Sequence, residues 1–179
     1  MTKIFAHRGA SAYAPENTME AFHLAAKQGA DGIELDVHVT KDGEVVVTHD
    51  EKIDRVSNGS GFVKDMTLRE LKRLSFHNHM ESYVGAGIPT LREVLEFVKT
   101  TTMAVNIELK TGLYWYPNIE EKTVALVHEL GMQDRIIYSS FNHHSIAKLK
   151  EIDSAAETAW LFSDVILNVE QYAKANGVE

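Results

Sequence analysis

The sequence predicts an α/β fold in which β-α units build a parallel sheet, either as a barrel or as a doubly wound sheet. Short apolar runs alternate with amphipathic helical segments along the whole chain. Polar residues gather late in or just after the apolar runs, which is where a β/α barrel keeps its active site. The 179 residues suit one domain, residues 1–179. A complete barrel takes about 250 residues and eight strands, whereas six strands are predicted here.

The first β-α unit is short and leads directly to a strand of special interest. A buried strand is predicted at 4–6, followed by a polar turn at 7–10 that contains a glycine. Asn17 is expected to cap the next helix, which ends at Gly29. The second strand is then predicted at 32–37.

Two carboxylates share one face of the strand at 32–37. Successive side chains of a strand point to opposite faces, so Glu34 and Asp36 lie on one side and the aliphatic residues on the other. An isolated pair of this kind is also typical of a half-exposed strand with a polar outer face. The surrounding run is strongly apolar, however, and ionised carboxylates are rarely buried without a cation or charged partner. We therefore expect positive charge at this position.

A third strand and a loosely patterned segment follow. The strand is predicted at 44–48, after a turn at 40–43, and it ends next to His49. From 51 to 88 the hydrophobic pattern weakens, and a capping box at Thr67 predicts one helix there. We interpret residues 51–88 as a segment inserted over the site.

The strand predicted at 104–110 repeats the acidic pattern. It follows a helix that a capping box at Thr90 opens. Alternation places Asn106, Glu108 and Lys110 on one face. Three acids and a lysine are therefore expected to converge from two strands.

The remaining segments continue the alternation. They are a helix at 118–130 ended by Gly131, a strand at 136–138, a helix at 142–151, a strand at 156–162 and a helix at 168–175 before Gly177. The strand and helix spacing agrees with further β-α units of the same sheet.

Composition excludes several classes of function. The chain has 18 Lys and Arg against 26 Asp and Glu, and its net charge of −8 argues against a nucleic-acid partner and an anionic-membrane anchor. Absence of cysteine excludes disulfides, thiolate metal sites and a cysteine nucleophile. No run approaches the ~18 apolar residues of a spanning helix, and the apolar start at 4–6 is too short for a signal peptide. We expect a cytoplasmic location.

The polar residues at the strand ends form a chemically consistent set. His7 and His49 suit general acid and base roles near neutral pH, although a histidine at a strand end also serves as a hydrogen-bonded structural residue. Three carboxylates without thiolates suit a hard cation, Ca²⁺ or Mg²⁺, better than zinc. Arg8 and Lys110 suit a phosphate. Together they indicate cleavage of a phosphodiester.

Short motifs in a fixed order along nearly the whole chain carry a specific resemblance. They are His7-Arg8-Gly9, Pro15-Glu16-Asn17-Thr18, Gly32 to Val37 followed by Thr40-Lys41-Asp42-Gly43, His49-Asp50, Ile88-Pro89-Thr90-Leu91 and Asn106 to Lys110. With these motifs the chain closely resembles the glycerophosphodiester phosphodiesterase family. The resemblance implies a TIM-type (β/α) barrel with a cap inserted after the third strand. It also implies metal-dependent hydrolysis of a small-molecule glycerophosphodiester to an alcohol and glycerol 3-phosphate.

The resemblance also assigns roles to individual residues. The implied metal ligands are Glu34, Asp36 and Glu108, the acid-base pair is His7 and His49, and the phosphate-binding residues are Arg8 and Lys110. Family members continue through two further strands, so the resemblance implies a barrel truncated after about six strands. Its two open sheet edges invite pairing with another chain, which makes a homo-oligomer a candidate assembly.

Two other functional classes stay open from the sequence. A metal-assisted lyase or aldolase would use Lys110 as a base or Schiff-base amine. A truncated barrel could instead bind phosphate without catalysis. The sequence does not decide which histidine acts first as the base.

Overall fold

Strands and helices alternate in the computed structural model, which describes residues 2–176. The strands are β1 (Phe5–His7), β2 (Gly32–Val39), β3 (Val45–Val47), β4 (Ala104–Leu109), β5 (Ile136–Ser140) and β6 (Glu157–Trp160). The α-helices are α1 (Met19–Lys27), α2 (Leu68–Leu71), α3 (Leu91–Lys99), α4 (Ile119–Leu130), α5 (His143–Ile152) and α6 (Val169–Ala175). Gly177, predicted to follow the last helix, lies outside the described residues.

One sheet holds all six strands, and it has the topology of an open barrel. The order β1-β2-β4-β5-β6 is parallel at every step, with each neighbour reached through a crossover. Within the described residues the sheet ends at β1 and β6 and does not close. The predicted (β/α) barrel fold is therefore confirmed, as an open sheet of six strands within the described residues.

β3 corrects one detail of the predicted sheet. It runs antiparallel to β2, with Val37 opposite Val47, and lies off the parallel path. The connecting turn at 40–44 is too short for a parallel crossover, which needs a dozen or more residues. Five strands rather than six are therefore parallel, and the insertion at 51–88 follows a hairpin strand instead of a barrel strand.

The cap of α1 also differs from the prediction. Thr18, not Asn17, is the N-cap, and its hydroxyl accepts a hydrogen bond from the Ala21 backbone N–H. Asn17 precedes the helix with φ 56°, in the left-handed region that asparagine tolerates better than most residues. Both residue types are good caps, and the Asn17 side chain is instead used in the site described below.

A continuous core fixes the strands that carry the site. All eight residues of β2 are buried, because β1, β3 and β4 flank it and helices pack on its outer face. The helix α3 buries Leu91, Val94, Leu95 and Val98 as one stripe, and the predicted capping box at Thr90 is present.

The insertion has a small core of its own. Val46 of β3 packs with Ile53, Val56, Val63, Leu71, Phe76 and Ile88. The predicted capping box at Thr67 opens α2. The insertion is thereby attached to the sheet through β3.

Among the described residues, no helix has both the length and the apolar composition that crossing a membrane requires.

Candidate active site

Three carboxylates converge from the neighbouring strands β2 and β4. The two strands are adjacent and parallel, and the register places Asp36 directly opposite Glu108. Glu34 shares the face of Asp36, since residues two apart on a strand point the same way. One oxygen from each of these three carboxylates lies within 4.8 Å of the others. The convergence expected from the alternation of the two strands is present.

The geometry of these oxygens fits a hard divalent cation. Oxygens bound on opposite sides of Ca²⁺ are about 5 Å apart, twice the usual 2.3–2.6 Å bond, and the separation of up to 4.8 Å here is of that size. Asp36 is fully buried, and its Oδ1 has no hydrogen-bond partner among the described residues. A buried anionic oxygen without a donor is costly unless a cation completes it. The cluster is thus a candidate metal site.

Burial also changes the proton affinity of the cluster. Desolvation raises the pKa of Glu34 to about 7, against a hydrogen bond from the Arg8 backbone that lowers it. Desolvation and the neighbouring charge of Glu34 raise the pKa of Asp36 to about 6, against a hydrogen bond from Asn17. The metal-free cluster therefore holds protons at a pH where exposed carboxyls have lost them.

Two cations lie at the edge of the cluster. Lys110 Nζ is 2.8 Å from Glu108 Oε1 and 3.6 Å from Asp36 Oδ1. Arg8 Nε is 3.5 Å from Asp36 Oδ2, and the Arg8 backbone N–H donates to Glu34 Oε2 at 3.0 Å. Both side chains are therefore within reach of an anion bound at the acidic cluster.

The turn after β1 brings Arg8 close to the carboxylates. Arg8 and Gly9 both have positive φ, 57° and 78°. A Cβ on Gly9 would lie 2.7 Å from the Cβ of Ala21 in α1, so only glycine fits there. This close approach holds the turn between the sheet and α1.

The two histidines lie in different environments. His7 ends β1 with a side chain that is 69% exposed, and its Nε2 is 3.8 Å from Glu34 Oε2. His49 follows β3, and its Nδ1 is 2.6 Å from Asp50 Oδ1. Because Nδ1 of His49 is engaged, Nε2 is the nitrogen through which it could transfer a proton.

A buried pair supports the His49 backbone. His38 Nδ1 is 2.8 Å from the Tyr116 hydroxyl, and His38 Nε2 is 3.0 Å from the His49 carbonyl oxygen. Burial lowers the pKa of His38 to about 4, so this ring is neutral at physiological pH. His38 is a buried structural residue.

Sequence reasoning missed four residues that contact the predicted set. They are Glu16, Asn17, Asp50 and Arg55, and they bond to Arg8, Asp36, His49 and one another. Three of them lie within motifs that carry the family resemblance, but their individual contacts have no pattern of their own in the sequence. Arg55 lies in the loosely patterned insertion, where hydrophobic periodicity gives no signal.

The open β/α barrel and the acidic cluster on its neighbouring strands define a class: barrel proteins in which carboxylates and basic residues gather at one site on the sheet. The model of the glycerophosphoryl diester phosphodiesterase family matches residues 7–177. The chain belongs to this family.

Relatives and solved structures agree with this membership. A glycerophosphodiester phosphodiesterase of Caldanaerobacter subterraneus is 50% identical over 84% of this chain and 63% of the relative. The crystal structure of a glycerophosphodiester phosphodiesterase from Agrobacterium tumefaciens matches with 40% identity and TM-score 0.81, over 88% of this chain and 66% of that one. An Oleispira antarctica phosphodiesterase, solved with its product sn-glycerol-3-phosphate, matches with 30% identity and TM-score 0.86, over 99% of this chain and 73% of that one. The chain thus spans less than two thirds of the first relative's length.

Proposed function

We propose that the chain hydrolyses glycerophosphodiesters to an alcohol and glycerol 3-phosphate. The observation that carries the proposal is the cluster of Glu34, Asp36 and Glu108, with basic residues at its edge. Family membership supports the same reaction. The bound product of the Oleispira antarctica protein is what this reaction would release.

In the proposed site, Glu34, Asp36 and Glu108 would hold Ca²⁺ or Mg²⁺. When bound, the cation would offset the negative charge that builds up on the phosphate. Arg8 and Lys110 would bind the remaining phosphate oxygens through charge-assisted hydrogen bonds.

His7 and His49 would divide the proton transfers. One histidine takes the proton of the attacking hydroxyl, and the other gives a proton to the departing alkoxide. The attacking group is either the neighbouring glycerol hydroxyl, which forms a cyclic phosphate that water then opens, or water itself. The family resemblance favours the cyclic route.

The proposal is tested by incubating the chain with glycerophosphocholine and Ca²⁺ or Mg²⁺ and assaying glycerol 3-phosphate. We expect product that disappears on chelation and in Glu108→Gln, while Glu129→Gln on the outer helix α4 retains activity. Absence of product with both metals would contradict the proposal.

The second function that the sequence left open is phosphate binding without catalysis. An open barrel could bind a phosphodiester without turning it over. Binding of glycerol 3-phosphate by calorimetry, without turnover of the diester, would support that function. The cytoplasmic location and the homo-oligomer expected from the sequence are still predictions.

A further inference from the structure

Arg55 of the insertion bridges two carboxylates from different parts of the chain. Its Nε and Nη2 donate to Asp50 Oδ2 and Oδ1 at 2.7 and 3.2 Å. Its Nη1 and Nη2 donate to Glu16 Oε2 and Oε1 at 2.9 and 2.8 Å. Both contacts are bidentate, the geometry for which the planar guanidinium is suited and a lysine is not.

Each of these carboxylates also bonds to a residue of the site. Asp50 Oδ1 is 2.6 Å from His49 Nδ1, and Glu16 Oε1 accepts from Arg8 Nη1 at 3.0 Å. An unbroken chain of hydrogen bonds therefore runs from Arg8 through Glu16, Arg55 and Asp50 to His49. Arg55 is the middle of this chain and the only member that comes from the insertion.

The backbone at Arg55 is well fixed. Ile53 and Val56, on either side of it, are buried in the core of the insertion. The Val56 N–H donates to the Ile53 carbonyl, which makes a tight turn at this point. The guanidinium is consequently held by a packed backbone at one end and by two carboxylates at the other, although the side chain is 44% exposed.

The guanidinium of Arg55 stabilises the ionised forms of the Asp50 and Glu16 carboxylates. Burial acts to raise the pKa of Asp50, but hydrogen bonds from Arg55 and His49 outweigh it and lower the value to about 2. The hydrogen bond from Arg55 is also the main cause that lowers the pKa of Glu16. Both carboxylates are therefore ionised acceptors near neutral pH.

We propose that Arg55 is a positioning residue that fixes the ring of His49 and the guanidinium of Arg8 by holding Asp50 and Glu16. Without Arg55, two partly exposed carboxylates are free to rotate towards water, and Asp50 no longer presents an oxygen to Nδ1 of His49. The imidazole then loses the partner that keeps its proton on Nδ1 and leaves Nε2 free. This inference rests on the proposed function in one respect, that His49 and Arg8 take part in the reaction.

The direct test is the tautomer of His49, measured by NMR on the full chain labelled with ¹⁵N-histidine. Spectra are recorded at about pH 8.5, above the ordinary titration range of histidine, and His49→Gln assigns the signal. We expect the Nδ1–H form in the wild type and a loss of at least about half of it in Arg55→Gln. Asp50→Ala, which removes the acceptor itself, is expected to lose the preference completely.

Arg92→Gln is the matched control. Arg92 is also 44% exposed and also makes a bidentate contact with a carboxylate. Its Nη1 and Nη2 donate to Glu129 Oε1 and Oε2 at 2.8 and 2.7 Å, between the outer helices α3 and α4. Its spectrum is expected to match that of the wild type. A His49 signal in Arg55→Gln that equals the Arg92→Gln signal would overturn the proposal.

A second variant guards against misfolding of Arg55→Gln. Arg55→Lys retains the positive charge but cannot fork both carboxylates, so it is expected to lose the Nδ1–H preference as well. A wild-type spectrum in Arg55→Lys would show that charge alone suffices and would also overturn the proposal.

Activity gives an independent readout. We expect kcat for glycerophosphocholine to fall about tenfold in Arg55→Gln, as misplacement of catalytic groups costs rate, with no change in Arg92→Gln. If the wild type shows no turnover while the tautomer still responds to Arg55, the proposed function fails and the positioning role stands. If turnover is normal and the tautomer does not respond to Arg55, the positioning role fails and the proposed function stands.

Discussion

The side-chain amide of Asn17 donates a 2.8 Å hydrogen bond to Oδ2 of Asp36. A residue of the turn before α1 therefore orients a carboxylate of β2 and leaves the other oxygen, Oδ1, which accepts no hydrogen bond among the described residues and lies 3.6 Å from Lys110 Nζ, to the acidic cluster. Groups that bond to metal-binding carboxylates in this way commonly set the affinity of the site. The backbone of Asn17 has φ 56°, in the left-handed region that most residues with a Cβ avoid.

Asn17→Ala is accordingly expected to weaken Ca²⁺ or Mg²⁺ binding by about 10- to 100-fold, measured by calorimetry. Alanine in a left-handed conformation adds backbone strain, which a control must include. Asn118→Ala provides it, because Asn118 has φ 59°, precedes α4 and is not one of the residues of the acidic cluster. Equal metal affinity in the two variants would contradict an orienting role for Asn17.

Metal binding and stability are both expected to depend on pH through the buried acids. In the metal-free protein the pKa values of Glu34 and Asp36, about 7 and 6, exceed their ordinary values. The folded state then binds protons that the unfolded state has released, so the stability that these groups contribute is full below about pH 4 and is lost as the pH rises through 6 to 7. We expect chelated wild type to lose about 2 kcal/mol relative to Glu34→Gln between pH 5 and pH 8.

Added Ca²⁺ should reverse this loss where the carboxylates are ionised. At pH 8 a concentration of about 100 times Kd stabilises the folded state by about 2.7 kcal/mol, whereas at pH 5 protons compete and the gain is much smaller. Thermal unfolding with and without chelator at both pH values measures the difference. A metal-induced rise in Tm that is the same at pH 5 and pH 8 would count against these acids as the ligands.

Loss of either histidine is expected to separate chemistry from metal binding. His49→Ala and His7→Ala should lower kcat by about 10²- to 10⁴-fold, the usual contribution of a general acid or base, while calorimetric metal affinity stays within about twofold of the wild type. His128→Ala is the control, since His128 pairs with Asp153 on the outer surface. Joint loss of turnover and metal binding would mean that the histidine is itself a ligand.

The sequence predicted those parts of the fold and site that follow from periodicity. Strand alternation put Glu34 and Asp36 on one face, and the parallel pairing of β2 and β4 then placed Glu108 opposite. The capping boxes at Thr67 and Thr90 were also predictable, because both partners lie within one turn of helix.

Contacts between distant residues could not be predicted in this way. Arg55 and Glu16 are 39 positions apart and meet only after the insertion has folded onto the sheet. Asn17 and Thr18 are both good caps by residue type, but the Asn17 side chain bonds to Asp36, a contact that the local sequence does not show. The antiparallel direction of β3 follows from the short turn before it, and the hydrophobic pattern of the strand itself gives no direction.

Lys110 separates the phosphodiesterase from the lyase that the sequence left open. Its Nζ lies 2.8 Å from Glu108 Oε1 and 3.6 Å from Asp36 Oδ1, so both carboxylates engage the group that a Schiff-base lyase would need free. Lys110→Gln is expected to raise the KM for glycerophosphocholine about tenfold, because a charge-assisted contact to the phosphate is lost. Metal affinity should be unchanged or higher, since the carboxylates lose a competing cation.

Lys148→Gln, which removes a lysine paired with Glu120 and Glu121, serves as the control. Borohydride trapping of a carbonyl substrate on Lys110 would instead support a Schiff-base lyase, and weaker metal binding in Lys110→Gln would contradict the phosphate-binding role.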